Sequence, residues 1–281
     1  MPNKPNAEPS VPPRVVGIDV GGTFTDIAVL EDGKLSVHKL PSTPANPSKG
    51  ILQGIKETGV TSAEFVHGST VATNALLEKK GARTALVTTM GFEDVLEIGR
   101  QARAELYNLE MDRPPALAPT ELRFGVSERI DHTGSIVEDL TAETINTLIG
   151  LLEESQAEAV AVSFLFSFLN TAHEDMLLTA LKKMKNTPYI TISSQVLPEF
   201  REFERASTVV VNAYVGHAMS SYLGELEGPL GNGLRIMQSS GGSITARLAS
   251  EQPVRTILSG PAGGVVGAFH TAVQAGFPDI I

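Results

Sequence analysis

The sequence predicts an α/β protein whose first lobe is built on a mixed sheet, followed by an incomplete second lobe. Three observations carry that reading. Three strand-like runs open the chain after Arg14 with only tight turns between them, as antiparallel neighbours do. From Asn46 onward, amphipathic helical stretches alternate with short apolar runs. One such run, residues 159–166, is apolar nearly throughout, as in a strand covered on both faces.

In order, residues 15–20 form the first strand and end in the pair Gly21-Gly22; residues 27–30 form the second. Glu31-Asp32-Gly33-Lys34 is a hairpin turn, because Asp-Gly tolerates the positive φ a two-residue turn requires, and residues 35–40 alternate as the third strand. Asn46 caps a helix with Pro47 at its first position, Ile51, Leu52 and Ile55 as its buried stripe, and Gly59 as its stop. Residues 63–66 and 84–88 read as strands around a helix over 70–80, and 95–103 as helical. Pro114, Pro115 and Pro119 make 107–120 a surface excursion. Thr141 caps a helix with the stripe Ile145, Leu148, Ile149 and Leu152. Thr171 and Glu174 have capping-box spacing ahead of Leu177, Leu178, Leu181 and Met184, and residues 189–193 form the next strand. After Pro198 the spacing predicts a long helix over 199–217, a strand over 234–238, a turn at Ser239-Ser240-Gly241-Gly242 and a helix over 262–274 with Pro261 at its start.

Composition removes whole classes of function. The 281 residues carry a net charge of −10, which disfavours nucleic acid and anionic membranes as partners. A small anion held by backbone N–H groups stays possible, so nucleotides remain candidates. With no cysteine, disulfides, thiolate nucleophiles and cysteine-ligated metals are excluded, and the histidines show no metal-ligand spacing. The polar, proline-rich residues 1–13 read as a disordered tail without the apolar core of a secretory signal. No run is long enough for a membrane span, and a cytoplasmic protein is expected.

The chemistry concentrates in Gly17-Ile18-Asp19-Val20-Gly21-Gly22-Thr23-Phe24-Thr25-Asp26. Two strands joined by Gly-Gly-Thr make a turn whose N–H groups can point at a phosphate, with glycine permitting close approach and positive φ. Gly21, Gly22, Thr23, Thr25 and Asp26 are therefore phosphate-binding candidates. Asp19 would repel a phosphate directly, so its expected role is to hold Mg²⁺ or its waters. The bland alternative is an ordinary glycine hairpin.

This loop resembles the phosphate loop of the sugar kinase/Hsp70/actin superfamily, and its extended form is similar to that of the hydantoinase/5-oxoprolinase family. Further blocks in that family's order are the stretch from His67-Gly68-Ser69-Thr70 to Asn74-Ala75-Leu76-Leu77-Glu78, then Thr88-Thr89-Met90-Gly91-Phe92-Glu93-Asp94. Arg100-Gln101, Glu202-Phe203-Glu204-Arg205, Asn212-Ala213-Tyr214 and Ser259-Gly260-Pro261-Ala262-Gly263-Gly264 follow. The resemblance implies a ribonuclease H-like, actin-like ATPase first lobe that uses ATP and Mg²⁺. It implies opening of a five-membered cyclic amide, 5-oxoproline or a hydantoin, by phosphorylation of the carbonyl oxygen, whereas related members carboxylate ketones. It implies a catalytic His67 beside Asp19, and substrate contacts from Gly68, Ser69, Thr70, Asn74, Arg100, Asn212, Ser259 and Gly260, with Arg103 a further candidate. Each has a plainer reading. Ser69 or Thr70 caps a helix, His67 packs, the arginines are solvated, Glu202, Glu204 and Arg205 are helix-surface charges or salt bridges, and Gly263, Gly264 and Gly267 smooth a helix.

The resemblance also divides the chain into an N-terminal domain over 14–195 and the start of the family's main domain over 196–281. Family members are longer, and their second phosphate loop would follow Ile281, so the expectation is a part completed by a second lobe or a hydantoinase B-like subunit, with oligomers possible. Alternatives are a non-catalytic binding module of the same fold and a sugar kinase-like phosphotransferase.

Overall fold

The computed structural model describes residues 14–102, 107 and 114–281. The expected tail, Arg103 and residues 108–113 of the proline-rich stretch lie outside the described residues, whereas Pro114, Pro115 and Pro119 are described. In chain order the strands and helices are β1 (Val15–Val20), β2 (Phe24–Glu31), β3 (Lys34–Pro41), α1 (Pro47–Thr58), β4 (Glu64–Gly68), α2 (Val71–Leu77), β5 (Thr84–Thr89) and α3 (Val95–Ile98). There follow β6 (Arg123–Val126), β7 (Arg129–Ile130), β8 (Ile136–Glu138), α4 (Ala142–Ser155), β9 (Ala159–Ser163), α5 (Ala172–Leu181), β10 (Tyr189–Ile192) and α6 (Ser193–Val196). The last are α7 (Glu202–Leu230), β11 (Leu234–Met237), β12 (Ser243–Thr245), α8 (Ala246–Glu251) and α9 (Ser259–Gln274). Two compact units result: the described residues up to Asn74 with Met219–Ile281, and Ala75–Ala218.

The first unit holds a six-stranded sheet in the order β12-β11-β4-β1-β2-β3. It is mixed, because β1, β4 and β11 run parallel and the other neighbours antiparallel. The Asp-Gly turn forms as expected, with φ of 50° at Asp32 and 73° at Gly33. Alternation then sends Val16, Ile18, Ile27, Val29 and Leu40 to a buried face that α1 touches. Asn46 caps α1 by accepting from Lys49 N–H (3.1 Å), and Gly59 ends it at φ 74°. Gly54 lets α1 approach: a Cβ there would stand 2.4 Å from Ile27 Cδ1 and 2.8 Å from Leu40 Cδ2. The segment expected to open a new lobe contributes β11 and β12 to this sheet.

The second unit carries a parallel four-stranded sheet, β10-β9-β5-β6, and the hairpin β7-β8. Every residue of β5 and β9 is buried, and Val87, Val160 and Val162 share a core with Leu148, Leu152, Leu177 and Leu181. Several expectations need correcting. β9 stops at Ser163, because Phe164 N–H donates to Glu174 Oε1 (3.0 Å) and Phe166 takes φ 54°. The capping box does not form: Thr171 makes no cap bond, and Glu174, fully buried, accepts instead from Phe164 N–H, Ser193 Oγ (2.6 Å) and Ser194 N–H (2.8 Å). Asn170 Oδ1 serves Ala172 N–H in its place. Arg205 is no surface charge. It is buried and donates to Glu199 O (2.8 Å) and Phe164 O (2.6 Å). β6, β7, β8 and β12 are too short to register as apolar runs, α7 continues to Leu230, and α9 begins at Ser259 rather than Ala262.

Candidate phosphate site

Between β1 and β2 the chain turns through Gly21, Gly22 and Thr23. Gly21 N–H donates to Phe24 O (2.9 Å), and Gly21 O accepts from Ser42 Oγ (2.7 Å). Ser42 also lies 3.2 Å from Thr25 Oγ1, and its N–H donates to Thr23 O (2.9 Å). The turn is thus tied to the end of β3 by one serine. Gly22 and Thr23 stand exposed at the tip, with N–H groups that no protein acceptor engages among the described residues. Neither glycine uses positive φ. Gly21 is favoured by contact instead, since a Cβ there would come within a tight 3.2 Å of Phe24 O.

Below the tip, register places a row across four strands. Asp19 is opposite Gly68 on β4 and Asp26 on β2, and Asp26 is opposite Lys39 on β3. Lys39 Nζ sits 2.8 Å from Asp26 Oδ1 and 5.0 Å from the Phe24 ring centroid. Asp19 is exposed, and no hydrogen bond or ion pair engages its carboxylate among the described residues. Thr25 points the other way, fully buried.

Two predicted segments meet at the β4 end of this row. Ser259 Oγ donates to Ser69 O (3.3 Å), Leu258 N–H donates to Thr73 Oγ1 (3.0 Å), and a Cβ on Gly68 would stand 3.8 Å from Gly260 Cα. Ser69 is buried and accepts from Val71 N–H (3.3 Å). Thr70 O receives Asn74 N–H (2.8 Å) in the first turn of α2, and Asn74 is exposed. His67 has no exposed surface. Its Nδ1–H donates to Ile18 O (3.1 Å) and its Nε2 accepts from Tyr222 O–H (2.6 Å), so both ring nitrogens are occupied in the neutral form. Burial pushes the imidazole down to about 4, against the opposing pull of Ile18 O. Burial pushes the Tyr222 phenol up.

Arg100 and Asn212 belong to the Ala75–Ala218 unit. Arg100 is exposed and paired with Glu204, while Asn212 is buried and donates to Thr191 Oγ1 (3.1 Å). Sequence reasoning overlooked Ser42, Lys39 and Tyr222. Lys39 was countable: a two-residue turn at Asp32-Gly33 fixes every pair on the hairpin, 26 with 39 included. Nothing local marks Ser42 or Tyr222.

A mixed α/β sheet that carries a Gly-Gly-Thr turn beside an exposed aspartate defines the class of protein, an α/β fold with an actin-like ATPase type of first lobe. The chain matches the hydantoinase/oxoprolinase N-terminal region over residues 15–185 and the hydantoinase/oxoprolinase domain over 205–281. It belongs to the hydantoinase/oxoprolinase family. It is 33% identical over 285 residues to the caprolactamase alpha subunit of Pseudomonas jessenii, covering 95% of this chain and 41% of that one. It is 31% identical over 298 residues to 5-oxoprolinase 1 of Arabidopsis thaliana, covering 90% and 23%. The crystal structure of the ATP-dependent caprolactamase from Pseudomonas jessenii superposes with TM-score 0.79 at 32% identity, covering 93% of this chain and 41% of that chain. Nucleotide-free acetone carboxylase, from work on ATP-dependent acetone carboxylation, gives 0.82 at 28%, covering 94% and 41%. The chain spans less than half the length of these relatives. Among the described residues no helix is long and apolar enough to cross a membrane.

Proposed function

We propose that this chain supplies a phosphate-gripping half-site to an ATP-dependent hydrolase that opens a five-membered cyclic amide of the 5-oxoproline or hydantoin type. The observation that carries the reading is the exposed, unpaired Asp19 beside the free N–H groups of Gly22 and Thr23, with Gly68 and Gly260 at its flank. Backbone donors at the turn suit a phosphate, and at its flank Gly68 and Gly260 pack backbone against backbone, which brings the start of α9 beside the row. Thr23 offers a hydroxyl at the tip, Asp26 is neutralised by Lys39, and Ser69, Thr70 and Ser259 shape the substrate side, with Asn74 at its exposed edge. His67 acts here by position: it holds Ile18 O, one residue before Asp19. Residues 14–195 form the N-terminal domain of this reading and 196–281 open the main domain, with a hydantoinase B-like subunit or a further lobe as partner.

A Mg²⁺ ion fits the donor set only in part. Asp19 offers one free carboxylate, and no group of three or more metal-binding side chains gathers among the described residues, so water and phosphate oxygens would complete the shell. When bound, Mg²⁺ would neutralise phosphate charge. Asp19 would hold the ion directly or through its waters, while the turn's N–H groups would bind the transferring phosphoryl group. Transfer to the amide oxygen would break the bond between the γ-phosphorus and the ADP oxygen. Water would then add to the ring carbon, the C–N bond would break with the nitrogen taking a proton, and phosphate would leave to give the carboxylate.

A second reading, carboxylation of a ketone, is favoured by the likeness to acetone carboxylase. The test is ATP hydrolysis by the protein assembled with its partner, with 5-oxoproline, hydantoin, caprolactam, acetone plus bicarbonate, or a hexose. Stimulation by the five-membered amides, lost by about two or more decades in Asp19→Asn with folding intact, is the expected outcome. Stimulation by ketone plus bicarbonate or by hexose alone overturns the substrate assignment, and wild-type turnover in Asp19→Asn overturns the site.

A further inference from the structure

We propose that the Ala75–Ala218 unit contains a separate site, a cavity at Arg129 that takes an organic monocarboxylate with an apolar body. The cavity is open to solvent and has a volume of about 600 Å³, a size that suits a small organic molecule. It shares no residue with the row around Asp19 and does not depend on the ATP reading.

The Arg129 guanidinium carries a charge that no carboxylate pairs with among the described residues. It lies over the Phe92 ring, 5.7 Å from the ring centroid, and its Nη1 is buried without a hydrogen-bond partner. It forms no ion pair, although Glu138 is opposite it on β8 and carboxylates stand on either side of it in sequence. Glu128 turns inward to His173 Nδ1 (2.7 Å) and to Thr89 Oγ1. Asp131 Oδ1 accepts from Thr133 Oγ1 (2.6 Å), Thr133 N–H (2.8 Å) and Ser135 N–H (3.0 Å), and those bonds hold its carboxyl below the usual range. A partly buried cation without an anion is unfavourable, and stacking on an aromatic face offsets only part of that cost. A guanidinium fork matches a carboxylate by two parallel bonds.

The remaining lining selects the rest of the ligand. Ile130, Leu165, Phe166 and Val137 add to Phe92 an apolar wall that a hydrocarbon or aromatic body would cover. Phe166 is held at φ 54°, an uncommon conformation for an aromatic residue, with its carbonyl accepting from Leu169 N–H (2.9 Å). Asp131, Glu202 and His132 also line the cavity, and the negative charge of the two carboxylates disfavours a second anionic group on the ligand. One negative charge and an apolar body are what this lining accommodates.

Calorimetric titration of the purified chain with benzoate and hexanoate tests it, alongside benzamide, phthalate and inorganic phosphate. Benzoate or hexanoate is expected to bind at sub-millimolar concentration, benzamide about tenfold more weakly or worse, and phthalate and phosphate not at all up to about 10 mM. Arg129→Gln should weaken carboxylate binding by about tenfold or more and erase the preference over benzamide. Because the lost charge had no partner, the ligand-free Tm of this variant should not fall. If Arg129→Gln does not fold, Val137→Trp serves, since Val137 is 67% exposed and tryptophan there fills the cavity without touching the charge. Equal binding of benzoate and benzamide, phosphate binding as tight as benzoate, no carboxylate binding up to about 10 mM, or undiminished binding in a folded variant would each overturn the proposal.

Discussion

His67 makes the stability of the sheet that carries Asp19 depend on pH. Its imidazole is depressed from 6.5 to about 4 by burial, so the folded chain keeps it neutral where the unfolded chain protonates it. Between those values the unfolded state binds more protons, and stability therefore falls as pH drops from about 6.5 toward about 4. At pH 5 the two values give a loss of about 2 kcal/mol relative to neutral pH, rising to about 3 kcal/mol once both states are protonated. His67→Gln keeps an amide donor toward Ile18 O and an acceptor toward Tyr222 O–H but cannot titrate. Urea unfolding at pH 7.5 and pH 5 isolates the term, because the carboxylates titrate alike in both proteins and cancel in the difference. At pH 7.5 the variant should be less stable by about 1 kcal/mol, from imperfect hydrogen bonds. At pH 5 it should equal or exceed the wild type, the difference having moved by about 2 kcal/mol. A difference that stays constant within about 0.5 kcal/mol would show that His67 is not buried neutral, and the argument would fail. Turnover separates the two roles given to this residue: the positional role leaves kcat within about tenfold, whereas a proton-transferring His67 loses several decades.

Two further outcomes follow from the geometry of the two units. Ser42→Ala removes the hydroxyl that holds Gly21 O and should raise the KM for Mg·ATP by about fivefold to tenfold, the equivalent of about 1 kcal/mol, with kcat nearly unchanged; steady-state kinetics of the assembled protein checks this, and an unchanged KM would remove Ser42 from the loop's support. His173→Leu strands Glu128, whose side chain is 0% exposed, and should cost about 3–5 kcal/mol by denaturant unfolding; the double variant Glu128→Leu/His173→Leu should recover most of that, and a single-variant cost below about 1 kcal/mol would mean the pair is not buried together.

What the sequence disclosed, and what it concealed, divides along the range of the interactions. The hairpin at Asp32-Gly33, the Asn46-Pro47 start of α1 and the stop at Gly59 rest on neighbours within four residues, and each forms as read. Glu174 has capping-box spacing too, yet its carboxylate serves Ser193 Oγ and Ser194 N–H, about twenty residues away, because the fold brings those donors to a buried carboxylate that must be hydrogen-bonded. Local pattern cannot see that competition. The same limit applied at the candidate site. Gly21-Gly22-Thr23 stood out because a turn leaves its mark in adjacent residues, whereas Ser42, which ties that turn down, is about twenty residues away and has no distinctive neighbours.

The strand register shows how much more could have been taken from the same letters. Once the first turn pairs 20 with 25 and the second pairs 31 with 34, antiparallel counting sets Asp19 against Asp26 and Asp26 against Lys39 with no further information. Two aspartates side by side would repel, so one of them needs a counterion, and Lys39 is the residue the register delivers. That leaves Asp19 as the unpaired carboxylate of the row. Charge balance across the strands thus favours Asp19 over Asp26 for the proposed metal-facing role, and Lys39→Met offers its converse: with Asp26 released, either carboxylate could serve.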